Sequence, residues 1–366
     1  MRLCIATPLY PPESGGPATY AKILEERLPG KGIEIMVVKF SVVRRYPKAL
    51  RHAVYTYLVL RALRQADAVL ALDPVSTGLP SALAARLLRK PFFVKVVGDY
   101  AWEQGRQRYG VSGALDAFVR ERQHSTQVRM LQAVEAWVAK SAHTVIVPSQ
   151  YLKRIVAAWG VPMECITVIP NGIALGVQGV LPAGFESLPV PRIVTVGRLV
   201  PWKGIGGLID AVADLREEGI ETSLVIVGDG PHRQNLEAYA KARLSDGYAF
   251  TGELSHEDTL KAIAEGDVFA LNTAYEGLSH VLIEALSLGA VIVTTTAGGN
   301  GELITDEEEG LLVEHGDRKA LPQALKRALT DEPLRRRIGR LAELKAKDFT
   351  EDAMIERTVA FFTDSL

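Results

Sequence analysis

The sequence predicts an α/β protein of two Rossmann-like domains, their parallel sheets facing across a cleft. Three observations predict it. Short β-branched runs recur, each followed by a stretch of helical composition. The runs are continuously apolar, without the alternation of a half-exposed strand, as suits strands covered on both faces. The second half also restarts the first. RLCIAT at 2–7 leads through a Pro- and Gly-containing loop into a helix over 18–28; RIVTVG at 192–197 leads through RLVPWKGIGG into a helix over 205–215.

Composition sets the bounds. At roughly 100–200 residues per domain, a chain of 366 residues suggests two domains. With 42 Lys+Arg against 43 Asp+Glu the formal charge is −1, which argues against a dedicated nucleic-acid binder. Hydrophobic content of 48% with 23% charged residues fits an ordinary globular protein. Cys4 and Cys165 cannot build a disulfide framework or a zinc site alone, so a reducing, cytoplasmic setting is expected. The apolar opening is broken by Pro11-Pro12, unlike a signal peptide, and no apolar run approaches the ~18 residues of a membrane span.

In chain order, strands are expected at 2–7, 35–38, 68–72, 92–97 and 144–148, and again at 192–197, 222–228, 248–252, 268–272 and 290–295. Residues 1–172 form the first domain. Residues 173–191, with three prolines and few charges, are expected to be a linker, and 192–349 form the second domain. A basic helix covers 334–346. Thr350 can N-cap a last helix whose Met354, Ile355, Val359, Phe361 and Phe362 make an apolar face, expected to pack back onto the first domain.

Ligands of open α/β sheets sit beyond the carboxyl ends of the strands, so the loops there carry the candidates. Gly15-Gly16 lets backbone approach an anion at a helix start; a ligand-free tight loop would use the same residues. It is not GxGxxG, and no ribose-binding acid follows at the usual distance, so a nicotinamide site is not indicated. Arg198 and Lys203 leave a buried strand just before a helix, where the dipole repels cations. An anion between them, such as a diphosphate, makes that placement sensible; two solvated surface cations are the alternative. Glu276 and Glu284 flank seven residues of a segment that becomes an apolar helix closed by Gly289. Eight helical steps rise ~12 Å, so the two cannot be a close acid/base couple but can touch separate parts of one elongated ligand. Glu276 is expected at the helix mouth beside the amides of Gly277, Leu278 and Ser279. Glu284 lies deeper among apolar neighbours, where vicinal hydroxyls could partner it. The alternatives are an N-terminal cap and a solvated glutamate. His280 reads as structural or solvated.

This Glu-x7-Glu segment, with Arg198, Lys203 and Gly15-Gly16, resembles the GT-B-fold retaining glycosyltransferases of family GT4 over essentially the whole chain. The segments VIVPSQYLK, VIPNGI, GDG, FTGEL and Gly298-Gly299 with Glu302 agree with the family's order. The resemblance implies that Arg198 and Lys203 hold a donor diphosphate and that the amides of Gly277–Ser279 help. It implies that Glu276 meets the sugar, that Glu284 binds ribose, and that Gly252, Glu253 and Leu254 lie against the base. It implies retention of configuration and neither metal nor other cofactor, the UDP- or GDP-sugar being substrate. Where many members carry a histidine after the fourth strand, this chain reads VVGDYAWE; Asp99 is the expected replacement, with a helix cap as the alternative.

Between Glu34 and Asp67 there is no acid, while Lys39, Arg44, Arg45, Lys48, Arg51, Arg61 and Arg64 are interleaved with tyrosines. Such a patch suits an anionic membrane surface or a lipid-linked acceptor, at ~1 kcal/mol per base; a solvated helix face is the plain alternative. The function expected is sugar transfer from a nucleotide donor to a saccharide or glycolipid of the bacterial envelope. A nucleotide-sugar epimerase or hydrolase, or a non-catalytic nucleotide-sugar binder, stands behind it.

Overall fold

The structure, a computed structural model, describes residues 1–13, 15–121, 123–174, 179–182 and 185–366, without the side chains of Lys48 and Ala49. The chain divides into two compact units, Met1–Asn171 with Glu351–Leu366, and Gly172–Thr350.

Unit 1 holds β1 (Arg2–Thr7), α1 (Gly16–Arg27), β2 (Glu34–Lys39), α2 (Lys48–Leu63), β3 (Ala68–Ala71), α3 (Leu79–Leu88) and β4 (Phe92–Lys95). It continues with α4 (Tyr100–Arg108), α5 (Leu115–Arg120), α6 (Thr126–Ser141), β5 (Thr144–Val147), α7 (Gln150–Ala158) and β6 (Ile166–Val168). The six strands are parallel, in the order β2-β1-β3-β4-β5-β6. Each helix returns the chain to the same end of the sheet, so the next strand runs parallel, and the strands stay apolar on both faces because helices cover both.

Unit 2 repeats the plan with β7 (Arg192–Val196), α8 (Ile205–Glu217), β8 (Ser223–Val227), α9 (Arg233–Leu244), β9 (Tyr248–Gly252) and α10 (His256–Ala264). Then come β10 (Val268–Leu271), α11 (His280–Ser287), β11 (Ile292–Thr295), α12 (Asn300–Leu303), β12 (Leu311–Val313), α13 (Ala320–Thr330) and α14 (Glu332–Ala346). Its sheet is again six-stranded and parallel, ordered β12-β11-β10-β7-β8-β9. Two parallel, doubly wound sheets are the α/β architecture the sequence predicts.

The last helix, α15 (Glu351–Ser365), belongs to unit 1. Phe362 meets Phe93 of β4 edge-on at 5.2 Å between ring centroids, and Met354 and Ile355 join Leu24 and Ile5 in the same apolar cluster. Arg27 of α1 pairs with Glu351, at 3.3 Å, and with Asp352, which pins the start of α15. In unit 2 the outgoing and returning segments run side by side, Ile173 N donating to Phe349 O at 2.9 Å. The stretch expected as a linker falls partly on residues outside the described ones. Of the rest, Phe185 is buried in the unit 2 core, with Leu181 and Leu188 packed against the same cluster.

Two strands have no counterpart in the sequence reading, β6 and β12. Each has three residues and lies at a sheet edge, too short for a periodic signal.

Candidate active site

In unit 2 the strand order reverses between β7 and β10, so the loops leaving their carboxyl ends diverge around a crevice. After β7, buried Leu199, Val200 and Trp202 anchor the loop, and Leu199 N donates to Asp229 O at 2.9 Å. The neighbouring strand ends approach so closely that a Cβ on Gly228 would lie 2.2 Å from Gly197 O; only glycine fits. The β10 loop is stitched to the β7 loop at three points. Ala274 N donates to Trp202 O at 2.7 Å, Thr273 Oγ1 to Trp202 O at 3.1 Å, and Asn272 Nδ2 to Gly204 O at 2.9 Å.

This stitching brings Lys203 onto Glu276. Lys203 Nζ bonds Glu276 Oε1, with the side chains only 16% and 15% exposed. Glu276 is held from behind. Gly299 N donates to Glu276 O at 2.9 Å, and a Cβ on Gly298 would lie 2.1 Å from that oxygen. Arg198, on the same loop as Lys203, is exposed, and its side chain makes no hydrogen bond or ion pair among the described residues.

The helical spacing expected of the two glutamates is corrected. α11 starts at His280 with Ser279 as N-cap, accepting from Leu282 N at 3.4 Å, so Glu276 lies in the preceding loop and only Glu284 is helical. Gly277, Leu278 and Ser279 are buried. A Ser N-cap outcompetes further propagation toward Gly277, which disfavours helix. Glu284 has a side chain 13% exposed, its one ion-pair neighbour among the described residues being His256 Nδ1 at 3.6 Å. Burial pushes its carboxyl up to about 7. Gly252 closes β9, its carbonyl accepting from Gly228 N at 2.9 Å; Glu253 after it is exposed and Leu254 packs against the core. His280 is half-buried at the start of α11.

In unit 1, Gly15 and Gly16 are exposed at the start of α1, which has no side-chain cap. Of the two readings given for Asp99, the structure shows the helix cap. Asp99 is 1% exposed and caps α4, accepting from Trp102 N at 2.7 Å and from Trp159 Nε1 at 3.3 Å. Buried Glu135, absent from the sequence reading, accepts from Tyr100 N at 2.7 Å and Ala101 N at 3.1 Å of the same helix start. Burial pushes the Asp99 carboxyl up to about 6 and that of Glu135 well above the usual range. The basic patch is corrected in part. Arg44 pairs with Glu13 and donates to Pro8 O, and half-buried Arg51 lies over the Phe40 ring, so neither is a free surface charge. Arg45 is exposed beside Tyr46; the side chain of Lys48 lies outside the described residues.

Sequence reasoning missed His256 and the Asn272–Ala274 stitching, because each contact joins segments far apart in the chain. Among the described residues no cluster of three or more His, Cys, Asp or Glu is placed to hold a metal ion.

Residues 2–172 match the family described as "Glycosyl transferase 4-like domain" and 186–345 that described as "Glycosyl transferases group 1". The chain is 34% identical over 150 residues to the alpha-D-kanosaminyltransferase of Streptomyces kanamyceticus, covering 41% of this chain and 39% of that protein. It is 30% identical over 245 residues to a glycogen synthase of Mycobacterium tuberculosis, covering 66% and 56%. The chain thus spans between 39% and 56% of the length of these curated relatives. The solved structure of Anabaena HepE in complex with UDP-glucose superposes with a TM-score of 0.77 at 20% identity, covering 100% of both chains. Two doubly wound sheets, each half matching a glycosyltransferase family in the same order, together with the sequence relatives, place this chain among the GT-B-fold, GT4-type glycosyltransferases of group 1.

Proposed function

We propose that the chain is a retaining glycosyltransferase that moves a sugar from a nucleotide-diphosphate-sugar donor to a hydroxyl of a saccharide or glycolipid acceptor. The observation that carries this reading is the Lys203–Glu276 pair where β7 and β10 end, with Arg198, unpartnered among the described residues, on the same loop. An ammonium has three donors. Lys203 can keep one on Glu276 and turn another to a phosphate oxygen, while the Arg198 fork takes the same diphosphate. In the reaction the bond from the anomeric carbon to the diphosphate oxygen breaks. The acceptor oxygen bonds that carbon on the same face, and the acceptor proton passes to the leaving phosphate. Arg198 and Lys203 offset the charge growing on the diphosphate, the work a divalent ion does elsewhere, so this reading calls for no metal.

Glu276 accepts from the sugar hydroxyls and Glu284 from the ribose, whose vicinal hydroxyls relieve a buried carboxylate. Glu253 and Leu254 lie against the base, and the amides of Gly277–Ser279 support the phosphate or sugar. UDP-sugars are the first donors to try, GDP-sugars the second, since HepE was solved with UDP-glucose. In unit 1, Gly15 and Gly16 offer exposed amides to an anionic group, while exposed Arg45, Arg61, Arg64, Val42, Leu50 and Tyr57 suit an anionic lipid surface. Bacterial cell-envelope synthesis at the cytoplasmic face of the membrane is the setting this reading favours; no helix of the described chain is long and apolar enough to cross a membrane.

The test is a thermal-shift panel of UDP-, GDP- and ADP-sugars, followed by donor turnover with and without saccharide acceptors and the anomeric configuration of the product by NMR. Acceptor-dependent turnover with retained configuration is expected. Hydrolysis that ignores acceptor would make the chain a hydrolase, and binding without turnover would make it a nucleotide-sugar binder.

A further inference from the structure

We infer that unit 2 carries a second saccharide site, back to back with the Lys203–Glu276 pair and separate from the donor position. A cavity of about 720 Å³ lies between the first turns of α8, the middle of α9 and the loop from β12 to α13. Its inner wall is Pro201, Gly204 and Asn272, the stitched loops whose other side carries Lys203. Neither Lys203 nor Glu276 lines this cavity, which has the volume of a small-ligand site.

The sequence leaves this space empty at one place. The first turn of α8 reads Ile205-Gly206-Gly207, and a Cβ built on Gly206 would meet nothing within 4 Å. A helix start with two adjacent glycines gives up roughly 1 kcal/mol of helix propensity at each, compared with alanine. At Gly206 the missing side chain leaves the cavity open, whereas Gly207 makes room for Asn272, whose Nδ2 would lie 2.7 Å from a Cβ there.

The lining chemistry selects the ligand. Asp210 Oδ1 accepts from Tyr239 OH at 2.6 Å and from Arg243 Nε at 3.2 Å, and Arg243 reaches Asp214 at 3.8 Å. On the facing loop Asp317 caps α13 through Lys319 N and Ala320 N, both at 2.9 Å, and exposed Arg318 makes no hydrogen bond or ion pair among the described residues. Three carboxylates against two guanidiniums leave little net field to select an ion. What they do offer is carboxylate acceptors and guanidinium donors lining one cavity with Tyr239, which is 39% exposed. Vicinal hydroxyls bridge a carboxylate and a guanidinium, and the C–H face of a pyranose lies on an aromatic ring. A neutral oligosaccharide fits this arrangement; a phosphate or a lone metal cation does not.

The inference goes beyond the transferase reading and does not need it. The test is titration of maltotriose, cellotriose, mannotriose and triacetylchitotriose into the full chain, followed by calorimetry and saturation-transfer NMR. Thermal shift with UDP runs separately as a report on the donor position. At least one trisaccharide is expected to bind at millimolar concentration, undisplaced by UDP. Gly206→Leu, which puts a side chain where a Cβ meets nothing within 4 Å, should weaken it more than about tenfold. Arg318→Ala, an exposed and unpaired position, should weaken it by a smaller factor and checks against misfolding of the first variant. Four silent trisaccharides, full displacement by UDP, or unchanged affinity in both variants would each overturn the second site. Absence of any UDP shift would count against the donor reading alone.

Discussion

Replacing Lys203 by methionine leaves the Glu276 carboxylate, on a side chain 15% exposed, without its cation, while the Gly299 bond to the Glu276 backbone carbonyl still holds the loop in place. Removing one partner of a buried pair destabilises by about 3–5 kcal/mol, and the residual exposure here argues for the lower end, about 3 kcal/mol. Glu276→Leu strands the ammonium in the same way and should cost a similar amount. Lys203→Met/Glu276→Leu removes both charges and their desolvation, so the double variant should lie within about 1 kcal/mol of the parent. The predicted coupling is therefore about 5 kcal/mol, far above the ~0.5 kcal/mol scatter of independent sites. The assay is urea unfolding by far-UV circular dichroism, with hydrogen exchange read on peptides of β7 and β10. A double variant as unstable as the sum of the singles would refute the claim that these side chains stabilise one another. A second reading of the same variants uses ligand. Lys203→Met should weaken UDP by about 1.5–3 kcal/mol, a charge-assisted bond, and leave uridine unchanged. Equal loss for both ligands would place the lysine away from the diphosphate.

Glu284 gives a pH prediction. Its carboxyl, pushed up to about 7 from 4.5 by burial, keeps its proton in the folded chain where the unfolded chain has lost it. The stability this provides is complete below about pH 4.5 and is lost as pH rises through 7. Glu284→Gln should therefore match the parent near pH 4.5 and exceed it by up to about 3 kcal/mol at pH 8 in urea melts; a constant difference across that window would contradict the burial argument. Ribose hydroxyls favour the carboxylate, so UDP binding near pH 7 should release protons, seen as buffer-dependent calorimetric heats that vanish in Glu284→Gln. Lys95 has the opposite sign. Its amine, on a residue 2% exposed, lies over the Tyr20 ring without a hydrogen-bond partner among the described residues, and burial lowers it to about 7 from 10.5. Stability should climb between pH 7 and 10, and Lys95→Met should raise it at pH 6 by as much as about 5 kcal/mol, less the lost cation–π contact. A destabilised Lys95→Met at pH 6 would show that the amine has a partner in solution. Phe362→Ala, which empties the ring cluster under α15, should cost about 3–5 kcal/mol of unit 1 stability, and a change below 1 kcal/mol would mean α15 does not rest on that core.

Ten of the twelve strands among the described residues were legible because a strand covered on both faces writes a continuous apolar run, and the restart of RLCIAT as RIVTVG announced the second sheet. β6 and β12 were not, since three residues at an edge carry no period. Loop chemistry was half legible. Lysine at a helix start and glutamate in an apolar helix are each locally unfavourable, so they stood out at Lys203 and Glu284 without any knowledge of contacts. Asp99 stood out too, and there the local reading of a helix cap describes what the carboxylate does.

The sequence by itself determined the α/β class, the two parallel sheets and which loops carry charge, because strand and helix periods and cap preferences act over a few residues. Only the tertiary structure decided that Lys203 meets Glu276 rather than standing free, that Glu284 shares His256, that Arg44 is tied to Glu13, and that Gly206 of α8 borders an open cavity. Those outcomes depend on strand order and on how deeply each group loses water. Both arise from packing between segments tens of residues apart, which no local pattern records.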